Sequence, residues 1–354
     1  MEIIMYPNPF ELTHARQLFS PSRVYLDTAT YGLASEDTAH AITNGVAQWR
    51  EGTGTLQEYD AAVDESRASY GFIVGSQDVA VGGTTANFMA MVAASLPPGG
   101  EVLLALEDFT SVTWPFLVRE TMQDGCRVRA VPLAQLAEAV TGKTRLIAVS
   151  AVQSRDGTVS DLDAVKEAAA IHQARTLIDV TQAAGWFPIN ANSFDFVVCS
   201  SYKWLLTPRG VAFMTVSKEV IASMPPTSAS WYAGSPRAQA LYASQLLLPQ
   251  SAHRFDVSPA WLCWLGALPA LKLINSIGVD TINAHNVGLA NRFRAGLNMP
   301  SSNSAIVSVT SIPDAEQRLA DAGVKASVRG GGVRLAFHLY NTDEHVDIAL
   351  NALT

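Results

Sequence analysis

Cysteine is scarce in this chain. Cys126, Cys199 and Cys263 stand far apart and form no CxxC pair. That spacing argues against a disulfide framework and a thiolate zinc site, and it suits a reducing compartment. The seven histidines show no HExxH spacing, so no metal centre is expected. Charge is sparse too. Charged residues make up 16 % of the chain, the formal net charge is −8, and no basic stripe offers a footprint for nucleic acid. No apolar run is long enough to span a bilayer. The opening residues lack the basic-then-apolar order of a secretion signal. The expectation is a cytoplasmic protein with neither nucleic acid nor membrane as partner. No repeat period and no low-complexity stretch is visible.

What the chain does have is a large apolar fraction, 48 % of 354 residues, enough for one large domain and a smaller one. Short apolar runs at 79–83, 101–108, 127–131, 145–152, 175–180, 194–200 and 210–216 read as strands. Several lack a polar face, as parallel strands buried on both sides do. Helical periodicity fills the gaps, at 87–96 and at 162–174, where Asp161 or Asp163 serves as cap. Alternating strands and helices predict an α/β fold with a mostly parallel sheet covered on both faces. After about residue 250 the texture changes. Two long helices, 261–278 and 280–297, precede strands at 305–312, 324–328 and 333–340 and a last helix at 343–353, with Asn341 as its expected cap. The reading is a large domain over 21–250 and a small C-terminal α+β domain over 251–354, with residues 1–20 packing beside it.

Ligands of open α/β sheets sit beyond the carboxyl ends of the strands, and three segments there carry polar chemistry. VGGTTAN at 81–87 is a glycine-rich turn running into a helix. Its free N–H groups and the hydroxyls of Thr84 and Thr85 could hold a phosphate, although it lacks the lysine of a P-loop. Alone, it reads equally well as a capped turn. TLIDVTQAAG at 176–185 places Asp179 at the end of an apolar strand, where an unpaired carboxylate is costly. FDFVVCSSYKW at 194–204 ends a buried strand in Ser-Ser-Tyr-Lys. Lys203 is one of only six lysines. Alone, it would pass for a solvated loop residue.

Together they are more specific. An anion loop, a strand-end acid and a lysine 24 residues later suit an aldehyde cofactor with a ring nitrogen and a phosphate. The chain resembles the class-V aminotransferase superfamily of fold-type-I pyridoxal-phosphate enzymes. The likeness runs from VYLDTATYG at 24–32, similar to the family's opening motif, to VRLAFHLYNT at 333–342, similar to its closing one. The resemblance implies pyridoxal 5'-phosphate as cofactor and a homodimer. It implies that Lys203 is the Schiff-base lysine and Asp179 the acid at the pyridine nitrogen. By the same resemblance Gln182 lies at the ring's 3-oxygen, Phe109 stacks on the ring, and Thr84, Thr85, Ser200 and Tyr202 surround the phosphate. Arg334 is implied as the clamp on the substrate carboxylate, with Tyr31 as a further substrate contact.

Two departures narrow the implied reaction. Desulfurases of the family carry a nucleophilic cysteine shortly before the closing arginine, whereas residues 322–334 contain none. Desulfurases also place a histidine over the ring. Phe109 cannot move a proton there. Finer motifs, EDFTSVTWP at 107–115, VQSRDG at 152–157, SYKWLLTPRG at 201–210 and FHLYNT at 337–342, resemble the carbon–sulfur lyases of actinobacterial ergothioneine biosynthesis. That subgroup cleaves hercynylcysteine sulfoxide by β-elimination to pyruvate, ammonia and a sulfenic acid. The alternatives are an epimerase-like, kynureninase-like or desulfurase-like member of the family, or a non-catalytic cofactor-binding regulator. Trp114, Trp231 and Tyr232 are candidates to hold a trimethylammonium group by cation–π attraction. Cys199, Cys263 and the Trp261/Trp264 pair read as core.

Overall fold

The apolar runs between residues 79 and 216 assemble into a seven-stranded sheet in the computed structural model, which describes residues 12–122 and 124–354. Along the chain come α1 (Leu12–Arg16), β1 (Val24–Tyr25), α2 (Glu36–Glu51), α3 (Leu56–Val74) and β2 (Val79–Gly82). There follow α4 (Thr85–Ser95), β3 (Glu101–Ala105), α5 (Thr110–Glu120), β4 (Arg127–Val131), β5 (Thr144–Ser150), α6 (Leu162–His172) and β6 (Arg175–Asp179). Then come β7 (Phe196–Ser200), β8 (Ala212–Val216), α7 (Lys218–Ser223), α8 (Arg237–Ala240), α9 (Trp261–Ile277) and α10 (Val279–Gly296). The last elements are β9 (Ile306–Val309), α11 (Ala315–Asp321), β10 (Val324–Lys325), β11 (Ser327–Arg329), β12 (Gly332–Ala336) and α12 (Asp343–Leu353).

The large sheet runs β2-β8-β7-β6-β5-β3-β4. The expected parallel sheet holds from β4 through β7, and β8 is the exception, antiparallel to both neighbours. Every residue of β7 is buried, which is why its sequence shows no polar face. The register aligns Ser150 of β5 with Asp179 of β6, and Asp179 with Val198 of β7. Three strands therefore end side by side, and their last residues look onto one region.

Several helix starts are set by side-chain caps. Ser35, Thr84, Asp161 and Thr342 each accept a backbone N–H of their helix. Thr55 and Glu58 form a reciprocal capping box on α3. Thr342, not Asn341, caps α12. Asn341 is drawn away because it is buried, accepting from the His338 N–H and donating to the Tyr25 carbonyl.

The C-terminal strands β11-β12-β9 form an antiparallel sheet with a core of their own, including Leu26, Phe293, Leu335 and Phe337. Val24 of β1 pairs with Val324 of β10, so the N-terminal motif is woven into this region. Helix α9 packs along α2 and α3. There Gly45 meets Leu265, and Gly266 lies against Ile42. Residues 1–11 of the N-terminal segment lie outside the described residues. Beyond them, Arg16 donates to the Leu339 carbonyl at 3.2 Å and Phe19 packs on Tyr340. A buried ion pair, Arg67 with Asp256, bolts the chain before α9 to β2, where Asp256 also accepts the Val81 N–H. Among the described residues no single helix is long and apolar enough to cross a membrane; α9 and α10 together have the length and apolarity but bend by 83° at their junction.

Candidate active site

A cavity of about 210 Å³ opens where β5, β6 and β7 end, and the turn before α4 forms one wall. Its lining brings together Thr84, Thr85, Phe109, Asp179, Gln182, Ser200, Tyr202 and Lys203, all of them singled out in the sequence.

Lys203 is 8 % exposed, and no described residue hydrogen-bonds its amine. Its Nζ lies 5.7 Å from the Phe109 ring centre and 5.8 Å from that of Tyr202. Burial pushes the ammonium well below its ordinary proton affinity, and Asp179 opposes that shift. Such an amine gives up its proton more readily than an exposed lysine, and once neutral it is nucleophilic and basic. Asp179 is buried on the neighbouring strand end, with Oδ1 accepting the Thr181 N–H at 2.7 Å. Burial raises its carboxyl above the usual range, and the backbone and hydroxyl of Thr181 pull it back.

The anion cradle is built from two strand ends. The Thr85 N–H donates to Ser200 Oγ at 3.1 Å, and Ser200 Oγ donates to Thr85 Oγ1 at 3.2 Å. Thr84, the N-cap of α4, bonds Asn87. Gly83 faces open space; a Cβ there would meet nothing nearer than the Gly210 carbonyl at 3.9 Å. The residues present fit a phosphorylated pyridine aldehyde. A buried amine without a partner, a buried carboxylate and a hydroxyl-lined helix start share one cavity. Gln182 donates to the Ala29 carbonyl and accepts from the Trp204 indole N–H, leaving one amide hydrogen for a ligand. Gly32 locks the opening motif over the lysine turn: its N–H bonds the Tyr202 carbonyl, and a Cβ would lie 2.1 Å from the Lys203 carbonyl.

Arg334 stands beside this cavity without lining it. Its Nη1 donates to the carbonyl of Ser154, a wall residue, and its Nη2 to Thr30 Oγ1 at 2.7 Å and Ser327 Oγ at 3.2 Å. Asp27 lies 3.9 Å from Nη2, and burial lowers the guanidinium to about 10. Tyr31 is exposed, 5.7 Å from the Tyr202 ring, and is likewise outside the lining. Tyr232 does not offer a free face to a cation. It is buried, Arg237 already stacks on it at 4.1 Å, and its hydroxyl donates to Asp60. Trp231 packs edge-on against it. Trp114 lines a neighbouring apolar groove, which shares Ala86 and Ser111 with the cavity.

Sequence reasoning missed Asp108 and Arg209. Asp108, at the turn after β3, accepts the Ser150 N–H at 2.8 Å and the Phe109 N–H at 3.0 Å, so it sets the position of Phe109. Burial raises its carboxyl, and the Ser150 hydrogen bonds oppose that. The signal was available: it closes an apolar strand, as Asp179 does. Arg209 is an exposed turn residue with no such signal. None of the three cysteines lines the cavity. Cys126 and Cys199 are buried, Cys263 is partly so, and burial raises all three thiols. Among the described residues no cluster of His, Cys, Asp and Glu could hold a metal.

The chain matches the family profile described as aminotransferase class-V over residues 50–319. It is 28 % identical to an uncharacterized aminotransferase, YcbU, of Bacillus subtilis, over 81 % of this chain and 82 % of that one. It is 24 % identical to the isopenicillin N epimerase of Streptomyces clavuligerus, over 98 % of each. Among solved structures it resembles the cysteine desulfurase CsdA of Escherichia coli, with a TM-score of 0.80, 20 % identity and 98 % of both chains covered. It also resembles the cystine C–S lyase C-DES in complex with cysteine persulfide, with a TM-score of 0.84, 19 % identity and coverage of 94 % and 97 %.

Proposed function

The chain belongs to the class-V aminotransferase family, whose cofactor is pyridoxal 5'-phosphate, and within it we propose a carbon–sulfur lyase acting on a cysteine sulfoxide conjugate. The observation that carries this reading is the ring of Phe109 beside Lys203 in a cavity lined by no thiol. A desulfurase needs a thiolate to accept sulfur. A thiolate leaving group also needs an acid close to it, and a phenyl ring is none. A sulfenate is the better leaving group and suits a site so built.

When bound, the cofactor supplies an aldehyde that captures the substrate amine and a pyridine ring that draws electrons from Cα. The residues assigned to hold it are Thr84, Thr85, Ser200 and Tyr202 at the phosphate, Gln182 at the 3-oxygen, Asp179 at the pyridine nitrogen and Phe109 against the ring. Lys203 then acts twice. Its amine is the covalent anchor, and once displaced it takes the α-proton at Nζ, for which burial has already weakened its hold on a proton. The Asp179 carboxylate would pair with the pyridine nitrogen and favour its protonated form. The Arg334 fork takes the α-carboxylate by exchanging its present partners Thr30 and Ser327 for the substrate's oxygens. The Cβ–S bond breaks with its electron pair leaving on sulfur. The three-carbon fragment takes up one water to give pyruvate and ammonia, and the other half departs as a sulfenate, which takes up a proton matching the one removed from Cα to become the sulfenic acid.

The finer reading is that hercynylcysteine sulfoxide is the substrate, in ergothioneine biosynthesis and in the cytoplasm. It is supported by the motifs shared with that lyase subgroup and by Trp114 in the groove beside the cavity. Two copies are proposed to associate along α5 and the turn after it, where Leu117, Val118 and Met122 are exposed together. The test of function is pyruvate release from a panel of S-substituted cysteine sulfoxides. Turnover confined to free cysteine, with sulfide or persulfide as product, would overturn it.

A further inference from the structure

The phosphate end of the cavity is walled by Thr84, Thr85 and Ser200. These are neutral donors. Even with the N-terminus of α4, worth about half a positive charge, they leave much of a phosphate monoester's charge of about −1.5 to −2 unbalanced. The cations that line the cavity are Lys203 and Arg209, and Lys203 is committed to the aldehyde.

We infer that Arg209 is the charge partner of the cofactor phosphate. Topology delivers it there. Antiparallel β8 pairs with β2, aligning Ala212 with Gly82. The turn before β8 is thereby set against the glycine loop, with the Gly210 carbonyl 3.9 Å from the Cβ position of Gly83. The backbone at this turn is pinned from behind, because Cys263 Sγ donates to the Arg209 carbonyl at 3.3 Å. The guanidinium lies 5.4 Å over the ring of Tyr202, itself a cavity wall. Among the described residues no carboxylate pairs with Arg209, and none of its donors is hydrogen-bonded. In a chain with a net charge of −8, a wall cation left without an acid is poised for an anion. The planar fork can hold two phosphate oxygens at once while its face stays on Tyr202.

The inference rests on the cofactor assignment, so its test separates the two. Full-length apoprotein of wild type, Arg209→Gln and Arg209→Lys is titrated with pyridoxal 5'-phosphate and with unphosphorylated pyridoxal, and binding is read from visible absorbance and tryptophan fluorescence. The Gln variant is expected to bind the phosphorylated form at least tenfold more weakly, and the Lys variant to recover part of that loss. Pyridoxal should bind all three about equally. Inorganic phosphate should compete with the cofactor for wild type and much less for the Gln variant. Unchanged affinity of the Gln variant for pyridoxal 5'-phosphate would overturn the inference. So would an equal loss for both forms, which would mark Arg209 as a prop for Tyr202. Failure of the wild type to bind either form would instead refute the cofactor assignment itself.

Discussion

Asp179 ends one parallel strand and Lys203 stands in the turn just past the end of its neighbour, in one cavity, and burial drives them in opposite directions: the carboxyl up, the ammonium down. A buried acid and a buried base with their proton affinities pushed toward each other mark a chemical site more than a structural pair. Each opposes the other's shift, so each is ready to meet a ligand of opposite demand.

Lys203→Ala is expected to abolish the visible absorption of covalently held cofactor, while added pyridoxal 5'-phosphate still binds non-covalently through the phosphate cradle. Spectra of purified protein after dialysis check this. A retained absorption band in the alanine variant would mean that another amine is the anchor.

Asp179→Ala is expected to lower kcat by roughly 10²–10⁴-fold, the scale of a lost proton-handling group, with cofactor affinity reduced much less. Steady-state kinetics and cofactor titration on the same preparation separate the two effects. Near-normal turnover would reduce Asp179 to the acceptor of the Thr181 N–H.

Arg334→Lys is expected to raise KM for an amino-acid substrate about 10- to 100-fold, the worth of a charge-assisted hydrogen bond. A point charge cannot reproduce the planar fork. A change in kcat alone, with KM untouched, would argue that Arg334 only ties Ser154, Thr30 and Ser327 together.

Stability should fall as the pH drops below about 6.5. His338 is fully buried between the Trp204 carbonyl and Asn286, and burial lowers it to about 3; burial, with Arg16 adding to it, lowers His285 to about 4. Both stay neutral in the fold but take up a proton when unfolded, so the unfolded state binds more protons across that window. Each contributes up to about 1.4 kcal/mol per pH unit there. Urea midpoints at pH 7 and pH 5 should differ accordingly, with a smaller difference in His338→Gln. A midpoint shift of the same size in His338→Gln as in wild type would contradict the burial of that ring.

What the sequence made legible follows from where its signals lie. Asp179 ends a buried strand and Lys203 follows one by three residues, so a polar residue there stands out against an apolar run. The cradle was legible because a glycine turn opening a helix is local. The antiparallel β8 was not, since direction is a property of pairing and leaves no mark in the run itself. Arg209 was missed for the same reason: it acquires meaning only when β8 is laid beside β2. Arg334 was found by its motif, but its partners Thr30 and Ser154 come from segments far away in the chain. The stacked Arg237 that occupies Tyr232 was equally hidden from a linear reading.

The central claim is a lyase that works without a thiol, and one measurement reaches it directly. The variant Cys126→Ser, Cys199→Ala, Cys263→Ser, in which the serine keeps a donor for the Arg209 carbonyl, is shown by circular dichroism to be folded and incubated with hercynylcysteine sulfoxide, and wild type is incubated in parallel with free cysteine. The account predicts pyruvate from the sulfoxide at close to the wild-type rate, and little sulfide or persulfide from cysteine. Loss of pyruvate release in the folded variant, or efficient persulfide formation from cysteine by the wild type, would contradict it.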